Sequence, residues 1–137
     1  MTTYVLDTNA VLAYLVGEPG TDVIEALFIR AEATLCQLYM HAINAYELYY
    51  QFYRHKNEDE ANQLWRNILQ LPLTVLYTFN EEIVKTAGRM KGTFNLSVAD
   101  SFLLAQAILL DATVVTSDHH ELDTVDQTGT VSFHWFR

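Results

Sequence analysis

Four carboxylates of this chain lie at the predicted edges of apolar elements, where ionisable side chains are uncommon. They are Asp7, Glu47, Asp100 and Asp118. Asp7 and Asp118 each follow a short apolar strand pattern, and Asp100 falls in the first turn of an apolar helix pattern. Carboxylates that meet in one cleft repel each other and raise each other's pKa unless a cation holds them ionised. We therefore interpret the four as one divalent-metal site, and oxygen-only ligation favours Mg²⁺ or Mn²⁺.

Three of these acids also have an ordinary structural explanation. Aspartate is a favoured N-cap, which alone would explain Asp7. Asp100 stands three residues after Ser97, as in a capping box. An aspartate after a strand, such as Asp118, is common in turns. The prediction of a metal site therefore depends on the four acids together.

Glu47 has the weakest structural explanation, because it interrupts a helical face that we expect to be buried. Glutamate is seldom buried unless it is paired or bound to a cation. Arg54 is seven residues away, outside the spacing of a helical ion pair. The face is defined by residues at helical spacing, namely Ile43, Tyr46, Tyr50 and Tyr53.

The tyrosines of this predicted helix allow two interpretations, a core or a protein interface. We expect Tyr46 and Tyr50 to point inward. Tyr49 and Tyr53 are expected to lie at least partly on a protein interface.

The histidines and the cysteine favour a zinc site less than the acids favour a site for a hard cation. His119 and His120 are adjacent, but the chain has no second cysteine and no His-x-x-x-His spacing. Cys36 lies in an apolar stretch and is expected to be a small core residue.

Apolar periodicity predicts strands and helices that alternate along the chain. The strands are expected at residues 4–6, 35–40, 73–77, 113–116 and 131–136, and the helices at about 10–16, 21–33, 43–55, 57–71, 80–91 and 97–110. This alternation is typical of a mainly parallel sheet of about five strands between two helical layers. We thus expect an α/β protein of three-layer α/β/α architecture, with residues 1–137 in a single domain. Sites in such sheets form beyond the carboxyl ends of the strands, where Asp7 and Asp118 are predicted to lie.

Charge and hydropathy limit the possible functions. The net charge is −9, from 17 acidic and 8 basic side chains, which argues against nucleic-acid binding through a broad basic face. Bound cations would offset part of this charge, and small basic clusters occur at 54–56 and 85–91. No apolar run is long enough to span a bilayer, and the chain enters a strand pattern at once, without a leader-like segment. We expect a cytoplasmic protein with no membrane partner.

Four segments, in this order, closely resemble the PIN-domain family. They are VLDTNAVL at 5–12, HAINAYEL at 41–48, VADSFLLA at 98–105 and VVTSD at 114–118. The resemblance extends over essentially the whole chain, and within the family it is to the single-domain VapC-type toxins of toxin–antitoxin pairs. It implies a Mg²⁺- or Mn²⁺-dependent endoribonuclease that hydrolyses phosphodiester bonds in single-stranded or looped RNA, with water as the nucleophile.

The resemblance also implies roles for particular residues. Asp7 and Asp100 are expected to be the principal metal ligands, and Glu47 and Asp118 to complete the site directly or through water. The polar residues expected to orient these carboxylates are Thr8, Asn9 and Thr116. Family members often carry a further acid after the last aspartate, and here Glu121 and Asp123 are both candidates. A homodimer and a small VapB-like antitoxin, whose tail covers the acidic cleft, are the implied partners.

Two other functions remain in competition. The chain could be a catalytically weak or inactive PIN-fold module that binds RNA or protein, although the presence of all four acids argues against a decayed site. It could also be a small aspartyl phosphotransferase or phosphoacceptor domain. That class needs an Asp-x-Asp motif or a lysine near a late strand, but Asn9 stands two residues after Asp7 and no lysine follows Lys91.

Overall fold

Five strands form one sheet, and every neighbouring pair in it is parallel. The computed structural model describes all 137 residues. The strands are β1 Thr2–Leu6, β2 Cys36–His41, β3 Thr74–Leu76, β4 Thr113–Thr116 and β5 Ser132–Trp135. The seven helices are α1 Thr8–Val16, α2 Thr21–Glu32, α3 Ala42–His55, α4 Glu58–Gln70, α5 Glu81–Thr93, α6 Val98–Leu110 and α7 His119–Thr128. The predicted elements are all present, with bounds that differ by a few residues.

The strand order is β3-β2-β1-β4-β5, so the direction of winding reverses between β1 and β4. In the register of these two central strands, Leu6 lies beside Val115. The backbone N–H of Asp7 extends the ladder by donating to the Val115 carbonyl at 3.0 Å. Ligand sites of open α/β sheets form at such a reversal, outside the carboxyl ends of the strands. The topology therefore places Asp7 at the crevice that the fold creates.

Helices cover both faces of the sheet, which confirms the predicted three-layer architecture. Successive side chains of a strand point to opposite faces. Leu6 and Val115 accordingly belong to a 17-residue core cluster that includes residues of α1 to α4. Val5 and Val114 belong to an 11-residue cluster on the other face, with residues of α5 to α7.

Helix α6 is the central helix that its nearly continuous apolar sequence predicts. Eight of its 13 residues are buried. The Ser97 hydroxyl caps it by accepting from the Asp100 N–H at 3.2 Å. This cap fixes the first turn, which carries Asp100.

Helix α7 was not predicted, since its sequence is polar and only Leu122 and Val125 in it are buried. Asp118 is its N-cap and accepts from the Glu121 N–H at 3.2 Å. Asp118 is thus a helix cap and not only a turn residue. The segment after β4 thus packs back against the protein, and Glu121 lies at the carboxyl ends of the strands.

The prediction of which face of α3 is buried was wrong. Tyr46 is 59% exposed, whereas Asn44, Ala45 and Leu48 are buried. The small side chains of Asn44 and Ala45 allow α3 to approach its neighbours closely, and the larger tyrosine is left outside. Tyr53 is exposed, and Tyr49 and Tyr50 are partly buried.

Two further expectations can be compared with the fold. Cys36 is buried in the larger core, as predicted. None of the helices combines the length and the hydropathy that crossing a membrane requires.

Candidate metal centre

An acidic cleft of about 260 Å³ opens at the carboxyl ends of β1 and β4. Five carboxylates line it, namely Asp7, Glu47, Asp100, Asp118 and Glu121. They come from the ends of β1 and β4 and from helices α3, α6 and α7. The remaining lining residues are uncharged: Thr8, Asn9, Leu12, Gln51 and Ser97. The fold therefore brings the four acids singled out in the sequence into one cleft and adds Glu121 to them.

Asp7 is the most deeply buried of these acids, with 4% of its surface exposed. Its Oδ1 accepts from the Thr8 N–H at 2.7 Å, and its Oδ2 accepts from the Thr116 hydroxyl at 2.8 Å. Burial raises the pKa of Asp7 to about 7, although these two hydrogen bonds oppose the shift. The charges of Glu47 and Asp118 raise this pKa further. In the protein alone, the carboxylate form of Asp7 is therefore poorly stabilised.

Thr116 connects two acids across the crevice. Its hydroxyl donates to Asp7 and accepts from the Asp118 N–H at 3.0 Å. Asn9 assists from α1, because its Oδ1 accepts from the Ser117 N–H at 3.4 Å. Both residues thus hold the chain after β4 against the start of α1.

Asn44 is a positioning residue that sequence reasoning missed. It is fully buried, its carbonyl accepts from the Thr8 hydroxyl at 3.0 Å, and its Nδ2 donates to the Ala99 carbonyl at 3.3 Å. It thereby joins α3, which carries Glu47, to α1 and to the turn of α6 that carries Asp100. The signal in the sequence was an amide one turn before Glu47, within an apolar helical stretch.

Glu47 lies on α3 at the edge of the cleft and is partly buried. Burial raises its pKa, the nearby Thr8 hydroxyl lowers it, and the charges of Glu121 and Asp118 raise it again. The two ion pairs within the chain are elsewhere, between Lys85 and Glu81 and between His119 and Asp123. No cationic side chain of the protein therefore neutralises Glu47.

The tightest group of oxygen atoms in the cleft belongs to Asp100, Asp118 and Glu121. One carboxylate oxygen from each lies within 4.8 Å of the others. Asp7 and Glu47 line the same cleft but are outside this group. Neighbouring carboxylates with no basic side chain between them fit a hard divalent cation, which prefers oxygen ligands. The donor set contains no histidine or cysteine, so it does not fit zinc as well.

Asp123, the other candidate acid, lies outside the cleft. Its Oδ1 is 2.8 Å from His119 Nδ1, and both side chains are about half exposed. His119 Nε2 is 2.9 Å from the Arg137 carbonyl, and its ring stacks on Trp135 with the centroids 4.0 Å apart. The bond to Asp123 raises the pKa of His119. This pair belongs to the outer surface of α7 and not to the acidic cleft.

Solved structures share this fold at low sequence identity. A VapBC2 complex from Rickettsia felis, bound to a DNA fragment from its promoter, has a TM-score of 0.77 at 17% identity over 98% of both chains. DNA-bound VapBC from Salmonella typhimurium has a TM-score of 0.77 at 15% identity over 100% of both chains. FitAcB from Neisseria gonorrhoeae has a TM-score of 0.65 at 19% identity over 95% of both chains. These similarities establish the fold.

The sequence itself matches one family model. No curated protein sequence matches the chain significantly. The model of the PIN domain matches residues 4–127, which contain all five acids of the cleft, the end of β1 and the whole of β2, β3 and β4. The chain therefore belongs to the PIN domain family.

Proposed function

We propose that this protein is a Mg²⁺- or Mn²⁺-dependent endoribonuclease that acts as a VapC-like toxin and hydrolyses phosphodiester bonds in single-stranded or looped RNA. The observation that carries the proposal is the convergence of five carboxylates on one cleft without a basic partner. Structural ion-pair networks pair their acids with Lys or Arg, and this cleft does not. Unpaired acids gathered at a crevice are the usual arrangement for binding a divalent cation.

Each acid of the cleft has a proposed role in binding the cation. Asp7 and Asp100 are the proposed principal ligands, and Asp118 and Glu47 complete the set. Glu121 is close enough to Asp100 and Asp118 to join them.

The surrounding residues prepare the acids for this role. Thr116 and the Thr8 N–H hold both oxygens of Asp7 in one orientation. A bound Mg²⁺ or Mn²⁺ would lower the pKa of a water molecule and offset charge on the phosphate. Glu47, at the edge of the cleft, would complete the site directly or through a water molecule bound to the cation.

The proposed partners are RNA, a second copy of the chain and a small VapB-like antitoxin, all in the cytoplasm. The antitoxin proposal is supported by solved structures of the same fold that are VapBC complexes. Charge complementarity supports it too, because a basic tail would fit the acidic cleft of a protein with net charge −9.

The first test is cleavage of a fluorescent single-stranded RNA with millimolar Mn²⁺ and with EDTA. We expect cleavage only with the metal, and none by Asp100→Asn. Asp123→Asn is the matched control, because it removes an aspartate that lies outside the cleft. If the wild type binds RNA but does not cleave it with Mn²⁺ or Mg²⁺, the alternative of an RNA-binding module replaces the nuclease.

Thermal melts of the same variants test metal binding without RNA. We expect Mn²⁺ to raise the Tm of the wild type. Asp100→Asn should melt higher than the wild type in EDTA, since it removes one of several repelling charges, and it should not respond to Mn²⁺. Equal melting of all samples with and without metal would reject the metal centre.

A further inference from the structure

A second groove adjoins the acidic cleft, and Glu47 and Ser97 line both. Its volume is about 520 Å³, within the range of about 300–1,000 Å³ found for pockets that hold small organic ligands. A chain that lies in the cleft can therefore continue directly into this groove.

One wall of the groove is a stripe of three side chains on α3, Tyr46, Tyr50 and Arg54, spaced four residues apart. Residues at this spacing share one face of a helix. The ring centroids of Tyr46 and Tyr50 are 5.3 Å apart, and the Arg54 Cζ lies 5.3 Å from the Tyr50 centroid. The stripe thus presents two aromatic rings followed by a guanidinium group.

Arg54 is the only cationic side chain of this groove. It is exposed, and neither ion pair of the chain includes it. In a protein with 17 acidic and 8 basic side chains, an unpaired arginine next to the acidic cleft is well placed to attract a phosphate.

The start of α6 forms another part of the wall, with Ser97, Val98 and Ala99. Val98 is 55% exposed, although it is apolar. The same turn carries Asp100 into the acidic cleft, so the position of this wall is fixed relative to the proposed metal ligands. An apolar side chain that lines the same groove as aromatic rings suits a flat, weakly polar ligand.

We propose that this groove binds the RNA strand next to the scissile phosphate, with a base stacked on Tyr46 and Tyr50 and a phosphate held by Arg54. The inference rests on the proposed ribonuclease function and names the part of the substrate that the groove recognises. Single-stranded RNA is commonly bound through aromatic stacking of unpaired bases, and arginine contacts its backbone. The groove combines aromatic rings, one cation and continuity with the acidic cleft. A bound nucleotide needs these features, whereas a set of metal ligands provides neither the rings nor the cation.

The first test is a comparison of cleavage kinetics between Tyr46→Ala and Tyr53→Ala. Tyr53 is the matched control, since it is 53% exposed on the same helix but outside the groove. Because one base would lose its stacking partner, Tyr46→Ala should raise KM by about tenfold with little change in kcat. Tyr50→Leu should act in the same direction, and Tyr53→Ala should leave KM unchanged.

Arg54→Gln tests the phosphate contact. It should weaken RNA binding and make the slope of log Kd against log salt shallower by about one. Lys56→Gln is the control, because Lys56 is an exposed cation near the end of α3 that does not line the groove. Equal slopes for the two variants would show that Arg54 does not contact an RNA phosphate.

An abasic oligonucleotide series tests the stacking itself. Binding is measured by anisotropy on the Asp7→Asn background, so that the RNA stays intact. Omitting the stacked base should remove the difference between Tyr46→Ala and the parent, whereas omitting other bases should preserve it. A difference that persists at every abasic position would overturn the proposal.

The outcomes separate this inference from the proposed function. If the wild type cleaves RNA and Tyr46→Ala matches Tyr53→Ala, the groove is rejected and the nuclease stands. If the wild type binds RNA through Tyr46 but never cleaves it, the groove stands and the nuclease is rejected. Loss of dimerisation or of protein binding by Tyr46→Ala, with RNA binding unchanged, would make the groove a protein interface.

Discussion

Two buried titratable side chains, His41 and Asp7, lie at the carboxyl ends of the neighbouring strands β2 and β1. The protein satisfies the first completely and leaves the charge of the second uncompensated. His41 ends β2 and caps α3, and Asp7 follows β1 and caps α1. His41 Nδ1 accepts from the Ile43 N–H at 3.1 Å, so Nε2 carries the proton and donates to the Thr78 carbonyl at 2.9 Å. Burial lowers the pKa of His41, which keeps the ring neutral. Both nitrogen atoms of this histidine are satisfied within the chain.

Asp7 also makes two hydrogen bonds, but it lies among acids instead of aromatic rings. His41 is in contact with Phe79 and Phe102, with ring centroids 5.1 and 5.3 Å away. Asp7 is next to Glu47 and Asp118, whose charges add to the effect of its burial. Buried polar residues can be distinguished by whether the protein compensates their charge. A group that the chain satisfies completely is structural, whereas a group whose charged form the chain leaves uncompensated indicates a missing counter-charge.

The largest expected effect comes from Asp7→Asn. This variant should lose RNA cleavage and the response to Mn²⁺, and yet gain stability in EDTA. At pH 8, a pKa raised from 3.8 to about 7 corresponds to a gain of at most about 4 kcal/mol when the charge is removed. Urea denaturation measures it, with Asp123→Asn as the control. A less stable Asp7→Asn protein would show that the chain already compensates this charge.

His41→Ala should have the opposite effect, a loss of about 3 kcal/mol in the free energy of unfolding. It removes a helix cap and a buried ring and leaves the Thr78 carbonyl without its donor. His55→Ala is the matched control, because His55 is exposed near the other end of α3. His41→Asn, which keeps an acceptor for the cap, should recover part of the loss. If His41→Ala unfolds no more easily than His55→Ala, the contrast with Asp7 fails.

The free energy of unfolding should depend on pH with opposite signs for Asp7 and His41. The folded pKa of Asp7 is above its unfolded value, so its folded state binds more protons and stability falls as pH rises from about 4 to 7. The folded pKa of His41 is below 6.5, so stability falls instead as pH drops below 6.5. Each group contributes at most about 1.4 kcal/mol per pH unit.

Urea denaturation of metal-free protein across pH 4–8 measures this contrast. The stability difference between Asp7→Asn and the wild type should grow with pH and level off above about 7. The difference between His41→Asn and the wild type should change only below 6.5. A constant difference for Asp7→Asn across the whole range would mean that its pKa is not raised.

The smallest expected effect concerns the two acids of α7. Glu121→Gln should weaken Mn²⁺ binding about tenfold, the lower end of the range for residues that support a metal site. Asp123→Asn should leave Mn²⁺ binding unchanged, since Asp123 pairs with His119 instead. Isothermal titration calorimetry on both variants measures the difference. Equal losses would place Asp123 in the site despite its position.

The alternation of strands and helices, and the edge of the sheet at which the four main acids meet, could be predicted because each depends on local signals. Apolar runs mark β1, β4 and α6, and an aspartate that follows a buried strand lies at a carboxyl end wherever the sheet is parallel. The family resemblance drew on the same segments. What could be foreseen was thus the five strands, every helix except α7, and the edge at which the acids meet.

The rest depends on contacts between distant segments. Helix α7 has too few apolar residues for periodicity to reveal it, although Asp118 and Glu121 have the spacing of a capping box. Without that helix, the choice between Glu121 and Asp123 could not be made. The buried face of α3 is set by how closely Asn44 and Ala45 allow other helices to approach, and periodicity alone favoured the larger Tyr46.

The hydrogen bond between Thr116 and Asp7 joins residues that are 109 positions apart. During synthesis, Asp7 is made before Thr116, Asp118 and Glu121, which lie at least 109 positions later in the chain. Until β4 pairs with β1, no fragment of the protein contains the complete cleft. The order of the strands thus delays assembly of the acidic cleft until β4, far along the chain, has paired with β1.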